Sequence, residues 1–244
     1  GAIPHVAGEV LAQNHRWRQM VAAVKSVQTY SVQVWLNRSL AELGWSDPSP
    51  LLSLYHPPLN TWADMSQVIE SENTSAALGV RNISYFTGPQ PGPEHTPKPA
   101  DDPGFAKRAQ EDARVTAEAF LRDKLGELLP RMSREGDPLE AYRTGAEGFE
   151  TQYVRANCEP SDRCTLALPG STCYRMRPED TGYENFVVTG DWTDNGIDLA
   201  CIEGSVRSGI LAARALTGVH IPIIGDALQD LFPGARRPPG AQTG

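Results

Sequence analysis

Several features that define well-known classes of protein are missing from this chain of 244 residues. No apolar run approaches the ~20 residues of a membrane-spanning helix, and no signal peptide starts the chain, so we expect a cytoplasmic protein. The formal net charge is −8, which gives no electrostatic reason for binding nucleic acid or an anionic membrane. The five histidines form neither an H-E-x-x-H motif nor a Ser-His-Asp order, which argues against those two kinds of hydrolase.

The chain also has few cysteines, and their spacing is unlike that of a compact metal site. Cys158, Cys164 and Cys173 follow a C-x5-C-x8-C pattern without the C-x2-C pair of zinc knuckles. The spacing therefore favours single thiols or one disulfide over a metal site. The fourth cysteine, Cys201, lies in the most informative stretch of the chain.

That stretch is residues 185–218, which read as a strand, a polar loop and a helix. Phe186–Thr189 is short, apolar and β-branched, which is typical of a buried strand, and Gly190 permits a sharp turn after it. Asp191 then stands at the predicted strand end. The pattern predicts a helix that begins near Asp198, whose carboxylate would cap it, and that ends at a glycine, Gly218.

The predicted helix has two contrasting sides. Apolar residues recur at helical spacing and comprise Leu199, Ile202, Val206, Ile210, Ala213 and Leu216. Small residues occupy the opposite side and comprise Gly204, Ser205, Ser208, Gly209 and Ala212. The small side would let another backbone or a flat cofactor approach closely. An ordinary strand-loop-helix packing unit is the alternative interpretation.

The run GDWTDNGIDLACIEGSVRSGILAARAL resembles the C-terminal flavin-binding motif of the phytoene desaturase and flavin amine oxidase superfamily. The preceding NCEPSDRCTLALPGSTCYRMRPEDTGYENF is similar to the lead-in of its phytoene-dehydrogenase-like and hydroxysqualene-dehydroxylase-like branches. The resemblance implies that Asp191 hydrogen-bonds the ribityl chain of FAD and that amides around Cys201 and Ile202 face the flavin pyrimidine edge. The cofactor-binding residues implied are Gly190, Asp191, Trp192, Gly196, Ile197, Asp198, Leu199, Ala200, Cys201 and Ile202.

Members of this superfamily hold the FAD pyrophosphate with a G-x-G-x-x-G motif, which this sequence lacks. The resemblance therefore implies the substrate-binding and flavin-capping half of an FAD-dependent oxidoreductase. A second polypeptide or a cleaved N-terminal fragment would supply the dinucleotide-binding half. The alternatives are a catalytically silent scaffold subunit and a protein that binds a small molecule without redox chemistry.

Two departures from the superfamily concern the amine oxidases. Cys201 stands where many of them place an aromatic residue, and Ile3–Val10 contains no lysine, although many of them carry one near flavin N5. Both departures weaken a monoamine-oxidase-like mechanism. The resemblance leaves open hydride transfer from a C–H bond of a small organic, amine, amino-acid or lipid-like substrate.

The pattern along the chain predicts an α/β protein, in an α+β arrangement with a mixed sheet. We expect a substrate-binding domain over residues 1–184, a flavin-binding strand-loop-helix over 185–218 that completes a Rossmann-type FAD domain, and an extension over 219–244. The predicted helices are His15–Ala23, Trp62–Ser71 and Phe105–Leu129, with a Pro-rich loop over Pro89–Pro103. The predicted strands are Val27–Asn37, Leu51–Tyr55, Asn82–Thr87 and Phe149–Ala156.

Four aromatic residues and one histidine of the predicted substrate-binding domain are candidates for the wall of a substrate pocket. They are Trp35, Tyr55, His56, Trp62 and Tyr85. Aromatic residues on strands are more often plain core, and a histidine such as His56 more often bonds a backbone carbonyl.

Overall fold

The computed structural model describes residues 2–48, 51–53, 56–71, 79–90, 102–132 and 148–223. Helices and antiparallel strands are both present, which confirms the α+β prediction. The chain forms two compact units. We call Gln28–Asp162 the sheet unit, and Gly1–Val27 together with Arg163–Gly244 the terminal unit. The predicted functional division into residues 1–184, 185–218 and 219–244 stays a prediction.

Within the described residues the helices are α1 (Ile3–Val6), α2 (Gly8–Gln13), α3 (His15–Ala23), α4 (Leu40–Leu43), α5 (Phe105–Leu128) and α6 (Ile202–Thr217). The strands are β1 (Ser26–Val27), β2 (Thr29–Leu36), β3 (Leu51–Leu52), β4 (Thr61–Asp64), β5 (Asn82–Pro89), β6 (Tyr153–Asn157) and β7 (Cys164–Thr165). In the part of the chain that is described, no helix has the length and apolar composition needed to cross a membrane.

The sheet unit contains five antiparallel strands in the order β3-β4-β5-β2-β6, where we expected a mixture of strand directions. Strand β2 lies between β5 and β6, and its side chains alternate as predicted. Tyr30, Val32, Val34 and Leu36 are buried on one face. Because successive strand residues point to opposite faces, Ser31, Gln33 and Trp35 occupy the other face.

The long helix α5 supplies much of the core of the sheet unit. Its buried residues recur every three or four positions and include Ala113, Ala117 and Leu121, which is the amphipathic pattern of a helix packed on a sheet. Gln110 of α5 also bonds the edge strand β6, since its Nε2 donates to Val154 O at 2.7 Å and its Oε1 accepts from Ala156 N at 3.0 Å. Gln110 therefore hydrogen-bonds backbone groups of β6 that would be unpaired at an open sheet edge.

Three sequence predictions for the sheet unit need correction. Trp62–Ser71 is not a helix: Trp62 belongs to β4, and the helical part is a single 3₁₀ turn over Ser66–Val68. The aromatic and β-adjacent residues there pack into the sheet, which overrides the helical pattern. The strand predicted from Phe149 begins at Tyr153, after a 3₁₀ turn. Of the strand predicted over Leu51–Tyr55, β3 spans Leu51–Leu52, Ser53 lies outside it, and the last two residues are not described. Most of the Pro-rich loop also lies outside the described residues.

The terminal unit is built around α3, where the sequence predicted a helix over the same residues. Asn14 caps this helix by accepting from Arg16 N at 3.0 Å. The Trp17 ring stacks on Phe186 with 5.5 Å between centroids, and its Nε1 donates to Thr181 O at 2.9 Å. Helix α3 and the segment before α6 therefore share one small core, which also includes Met20, Met176 and Val188.

The predicted strand Phe186–Thr189 is wrong. These residues are described and form no strand, although Val188 is buried and Phe186 packs on Trp17. Val188 N donates to Pro178 O at 2.9 Å, so this segment bonds to a loop instead of a neighbouring strand. The apolar, β-branched composition reflects burial against helix and loop, which produces the same local pattern as a strand.

Gly88 provides a test of the sheet packing. A Cβ added at Gly88 would overlap the carbonyl oxygen of Pro58, whereas one added at Gly209 of α6 would meet nothing within 4 Å. We expect Gly88→Ala to lower the free energy of unfolding by about 2–3 kcal/mol through overpacking. Gly209→Ala should raise it by about 0.5–1 kcal/mol through helix propensity. Urea unfolding measures both, and equal effects would contradict the packing around Gly88.

Candidate functional site

The helix within the motif that resembles a flavin-binding sequence begins later than predicted. Helix α6 starts at Ile202, so Asp198 does not cap it. The N-cap is Cys201, whose Sγ accepts from Gly204 N at 3.3 Å. The end of the helix agrees with the sequence, because Gly218 adopts a left-handed φ of +67° directly after Thr217.

The loop that leads into α6 is tied to the helix by a closed set of hydrogen bonds. Gly190 N donates to Ser208 Oγ at 3.0 Å, and the Thr193 hydroxyl lies 2.9 Å from the same oxygen. The Thr193 hydroxyl also lies 2.8 Å from Gly190 O, which completes the ring. Thr193 and Ser208 are fully buried, so these bonds fix the position of the loop start against the second turn of the helix.

A second attachment involves Asn195, which is 1% exposed. Its Oδ1 accepts from Ile197 N at 2.9 Å and from Asp198 N at 3.2 Å, and its backbone oxygen accepts from Arg207 Nε. We did not single out Asn195, Arg207 or Ser208 as cofactor-site residues from the sequence. The available signal was the polar character of Arg207 and Ser208 on the side of the helix that carries small residues.

Burial of α6 is the reverse of that in a usual amphipathic helix: the side with small residues is buried, and the apolar side is exposed. Gly204, Ser208 and Ala212 of the small side are buried within the chain. The apolar side is the one exposed, with Ile202 at 80%, Val206 at 56% and Leu216 at 66%. The close approach that we predicted for the small side is therefore made by the loop of this chain, and the apolar side is left open.

Asp191 lies at the start of the loop in a polar environment. Its Oδ1 accepts from Thr165 Oγ1 at 3.4 Å, and its backbone oxygen accepts from Arg175 Nη1 at 2.6 Å. Gly190 before it has a φ of +130°, and an added Cβ would lie 2.5 Å from Trp192 Nε1. Only glycine suits this position, which agrees with the turn predicted there.

Two buried polar atoms of the loop have no hydrogen-bond partner among the described residues, namely Asn195 Nδ2 and Asp198 Oδ1. Asp198 also has a φ of +58°, and it is the one non-glycine residue with positive φ in the described part of the chain. Buried polar groups without partners and strained backbone both occur preferentially where a ligand binds. These residues fit the polar ring edge of a flavin, which combines hydrogen-bond donors and acceptors.

Of the described residues predicted for the pocket, Trp35 and Tyr85 lie on one face of the sheet and Trp62 lies on the other. Trp62 is fully buried, stacked near Phe86 and in edge contact with Trp45 at 5.0 Å, so it forms part of the core of the sheet unit. Its burial follows from its position on the face of the sheet that forms the core. Trp35 and Tyr85 are half-buried on the opposite face, where the Tyr85 hydroxyl lies 3.1 Å from Ser31 Oγ.

His56 pairs with a helix instead of facing Trp35 and Tyr85. Its Nε2 lies 2.9 Å from Glu127 Oε2 of α5, and this hydrogen bond is the main reason why the pKa of Glu127 lies below its usual value. Tyr55 lies outside the described residues. An open cavity of about 260 Å³ in the sheet unit contains none of the predicted residues, and it is lined by Gln90, Phe105, Arg108, Ala109, Glu111 and Asp112.

No disulfide bond joins the four cysteines, all of which lie among the described residues. Cys158 is buried, Cys164 and Cys201 are half-buried, and Cys173 is exposed. Among the residues with described positions, no group of three or more His, Cys, Asp or Glu side chains has the arrangement of a metal site.

Comparison with protein-family models and with curated proteins finds no match to this chain.

The ring of hydrogen bonds at Ser208 makes a prediction for stability. Ser208→Ala leaves Gly190 N and the Thr193 hydroxyl short of a buried partner, which should lower the free energy of unfolding by about 2 kcal/mol. Ser205→Ala is the matched control, because Ser205 is exposed on the same helix and bonds only the local Cys201 O at 3.3 Å. Its effect should stay within about 0.5 kcal/mol. Urea unfolding of both variants tests this, and a neutral Ser208→Ala would contradict the attachment.

Proposed function

We propose that this chain is the substrate-binding and flavin-capping half of an FAD-dependent oxidoreductase, which works with a second polypeptide that binds the dinucleotide. The proposal rests on the resemblance of residues 190–216 to a flavin-binding motif and on the surface that these residues form. Alternatively, a cleaved N-terminal fragment would supply the dinucleotide-binding half.

One observation carries the proposal more than the others. Three large apolar side chains, Ile197, Leu199 and Ile202, are exposed together around the start of α6. They stand on a loop that is otherwise anchored by buried hydrogen bonds at Thr193 and Asn195. A rigid, partly apolar surface beside a helix N-terminus suits a flat aromatic ring with a polar edge.

The residues that would hold FAD have distinct tasks in this proposal. Asp191 would accept hydrogen bonds from the hydroxyls of the ribityl chain. The amides at the start of α6, around Cys201 and Ile202, would face the pyrimidine edge, because free N–H groups and the helix dipole favour negative charge there. Bound FAD supplies a hydride acceptor at flavin N5, and the protein contributes orientation and exclusion of water.

The exposed side of α6 supports the partner in this proposal. Val206, Ala213 and Leu216 form an uncharged stripe that continues from Ile202 at the start of the helix. A second polypeptide that completes the grip on the same cofactor would lie next to this stripe. Burying it would remove apolar side chains from water, which is the usual source of a stable interface.

The substrate side of the proposal uses the face of the sheet opposite to its main core, which is partly covered by the small cluster around Ile69, Val80 and Ile83. Trp35 and Tyr85 stand on this face together with the amide of Gln33, which pairs in register with Tyr85. Aromatic rings beside a few polar groups are typical of pockets for small organic molecules. The reaction would be hydride transfer from a C–H bond of a small organic, amine, amino-acid or lipid-like substrate.

Replacing Asp191 tests the cofactor assignment. Asp191→Ala in the native assembly should weaken FAD retention by at least about tenfold, because it removes a charged acceptor. Glu184→Ala is the matched control, since Glu184 is an exposed acidic residue of the same unit and should leave retention unchanged. Equilibrium dialysis against FAD, followed by the flavin absorbance, measures both variants.

The same measurement separates the alternatives. If the wild-type assembly takes up no FAD, the proposal fails in favour of a non-redox small-molecule-binding protein. If Asp191→Ala retains FAD and turnover at the wild-type level, the motif is vestigial and a silent scaffold subunit is the better interpretation.

The stripe on α6 gives a prediction for the partner. Val206→Asp places a charge on the stripe and should weaken association with the dinucleotide-binding polypeptide by about tenfold or more, with loss of flavin. Val115→Asp on α5 is the control, because Val115 is 65% exposed and lies in the sheet unit. Size-exclusion chromatography with detection of flavin absorbance measures both. Equal behaviour of the two variants would show that the stripe does not hold the partner.

A further inference from the structure

We infer that Asn195 and Asp198 form a donor–acceptor pair that binds the imide edge of a ring, in which a C=O group adjoins an N–H group. The inference rests on the proposed flavin function, because the pyrimidine ring of a flavin has such an edge. It adds a residue, Asn195, and a chemical basis for discrimination between rings that the motif alone does not provide.

The donor is the side-chain nitrogen of Asn195. The side-chain oxygen already accepts from the amides of Ile197 and Asp198, which fixes the orientation of the side chain and leaves Nδ2 as a donor. Nδ2 is buried and has no partner among the described residues. An unpaired buried donor costs free energy that a ligand acceptor would recover.

The acceptor is the carboxylate of Asp198. Asp198 Oδ1 is also buried and has no partner within the described part of the chain. Its backbone N lies 3.2 Å from Asn195 Oδ1, so both side chains start from the same turn. A donor and an acceptor on one turn match an edge that presents an acceptor beside a donor.

Gly204 in the first turn of α6 shows where the side-chain nitrogen of Asn195 faces. An added Cβ there would lie 3.4 Å from Asn195 Nδ2, 3.4 Å from Cys201 Sγ and 3.2 Å from Leu199 O. Asn195 Nδ2 therefore points at the N-terminal turn of the 16-residue helix, where free backbone N–H groups are concentrated. The backbone oxygen of Leu199 lies on the same side, so a ring would reach this donor after the exposed residue Leu199 moves.

The backbone at Asp198 allows a test with a variant that should remain folded. Asp198 holds a φ of +58°, a conformation that glycine adopts without strain. Asp198→Gly removes the acceptor and should raise the midpoint of urea unfolding. Asn195→Asp keeps an oxygen for the amides of Ile197 and Asp198 and replaces the donor with a second carboxylate oxygen.

The probes are lumiflavin, which has the ring system without a sugar or phosphate, and 3-methyllumiflavin, in which a methyl group replaces the ring N–H. Binding to the native assembly, after its FAD has been removed, is measured by flavin fluorescence. We expect wild type to bind lumiflavin at least about tenfold more tightly than 3-methyllumiflavin. Asp198→Gly should bind both equally, and Asn195→Asp should bind lumiflavin about tenfold more weakly than wild type. Ser205→Ala should behave as wild type.

The possible results separate this inference from the proposed function. Equal wild-type binding of the two probes, or variants that bind lumiflavin as wild type does, would overturn the pair while the flavin proposal stands. If neither probe binds wild type, both fall. If Asn195→Asp does not fold, the loss of discrimination in Asp198→Gly decides the matter alone.

Discussion

The arrangement of the candidate site depends on the attachment of an irregular loop to helix α6. Gly190, Thr193 and Ser208 close a ring of buried hydrogen bonds, and Arg207 holds the backbone of Asn195 from the same helix. The loop has no strand pairing of its own, so these side chains replace the ladder that would otherwise fix it. Everything proposed for Asp191, Asp198 and the start of the helix follows from this attachment, because it sets where their polar groups lie.

The attachment has a consequence for the surface of the molecule. Since the small side of α6 is used to seat the loop, the apolar side of the helix faces solvent. Large apolar side chains such as Ile202, Val206 and Leu216 are unusual together on a surface that stays in water. They are typical of a surface that a partner covers. The lack of a G-x-G-x-x-G motif in this sequence and the exposed stripe are independent observations, and the proposed dinucleotide-binding partner would account for both.

The sequence predicts the regular parts of this fold well. Helices α3 and α5 and strands β2 and β5 carry strong periodicity and span many residues, so the local pattern and the tertiary packing agree. The pattern fails at Phe186–Thr189 and at Trp62, where burial against helices or within a sheet produces the same apolar signature as the predicted element. It also misses Asn195 and Ser208, because a polar residue in a loop or on a helix reveals its partner only when the chain has folded. Asp191 could be singled out because its motif is local, whereas a pocket assembled from distant residues could not.

The central claim is that this chain forms one half of a flavin site. The most direct measurement is native mass spectrometry of the purified assembly together with its visible spectrum, which reports the polypeptides and the cofactor in one sample. We predict a second, dinucleotide-binding polypeptide, a mass increment equal to FAD and the absorbance bands of an oxidised flavin. A colourless assembly that contains this chain alone and takes up no added FAD would contradict the claim.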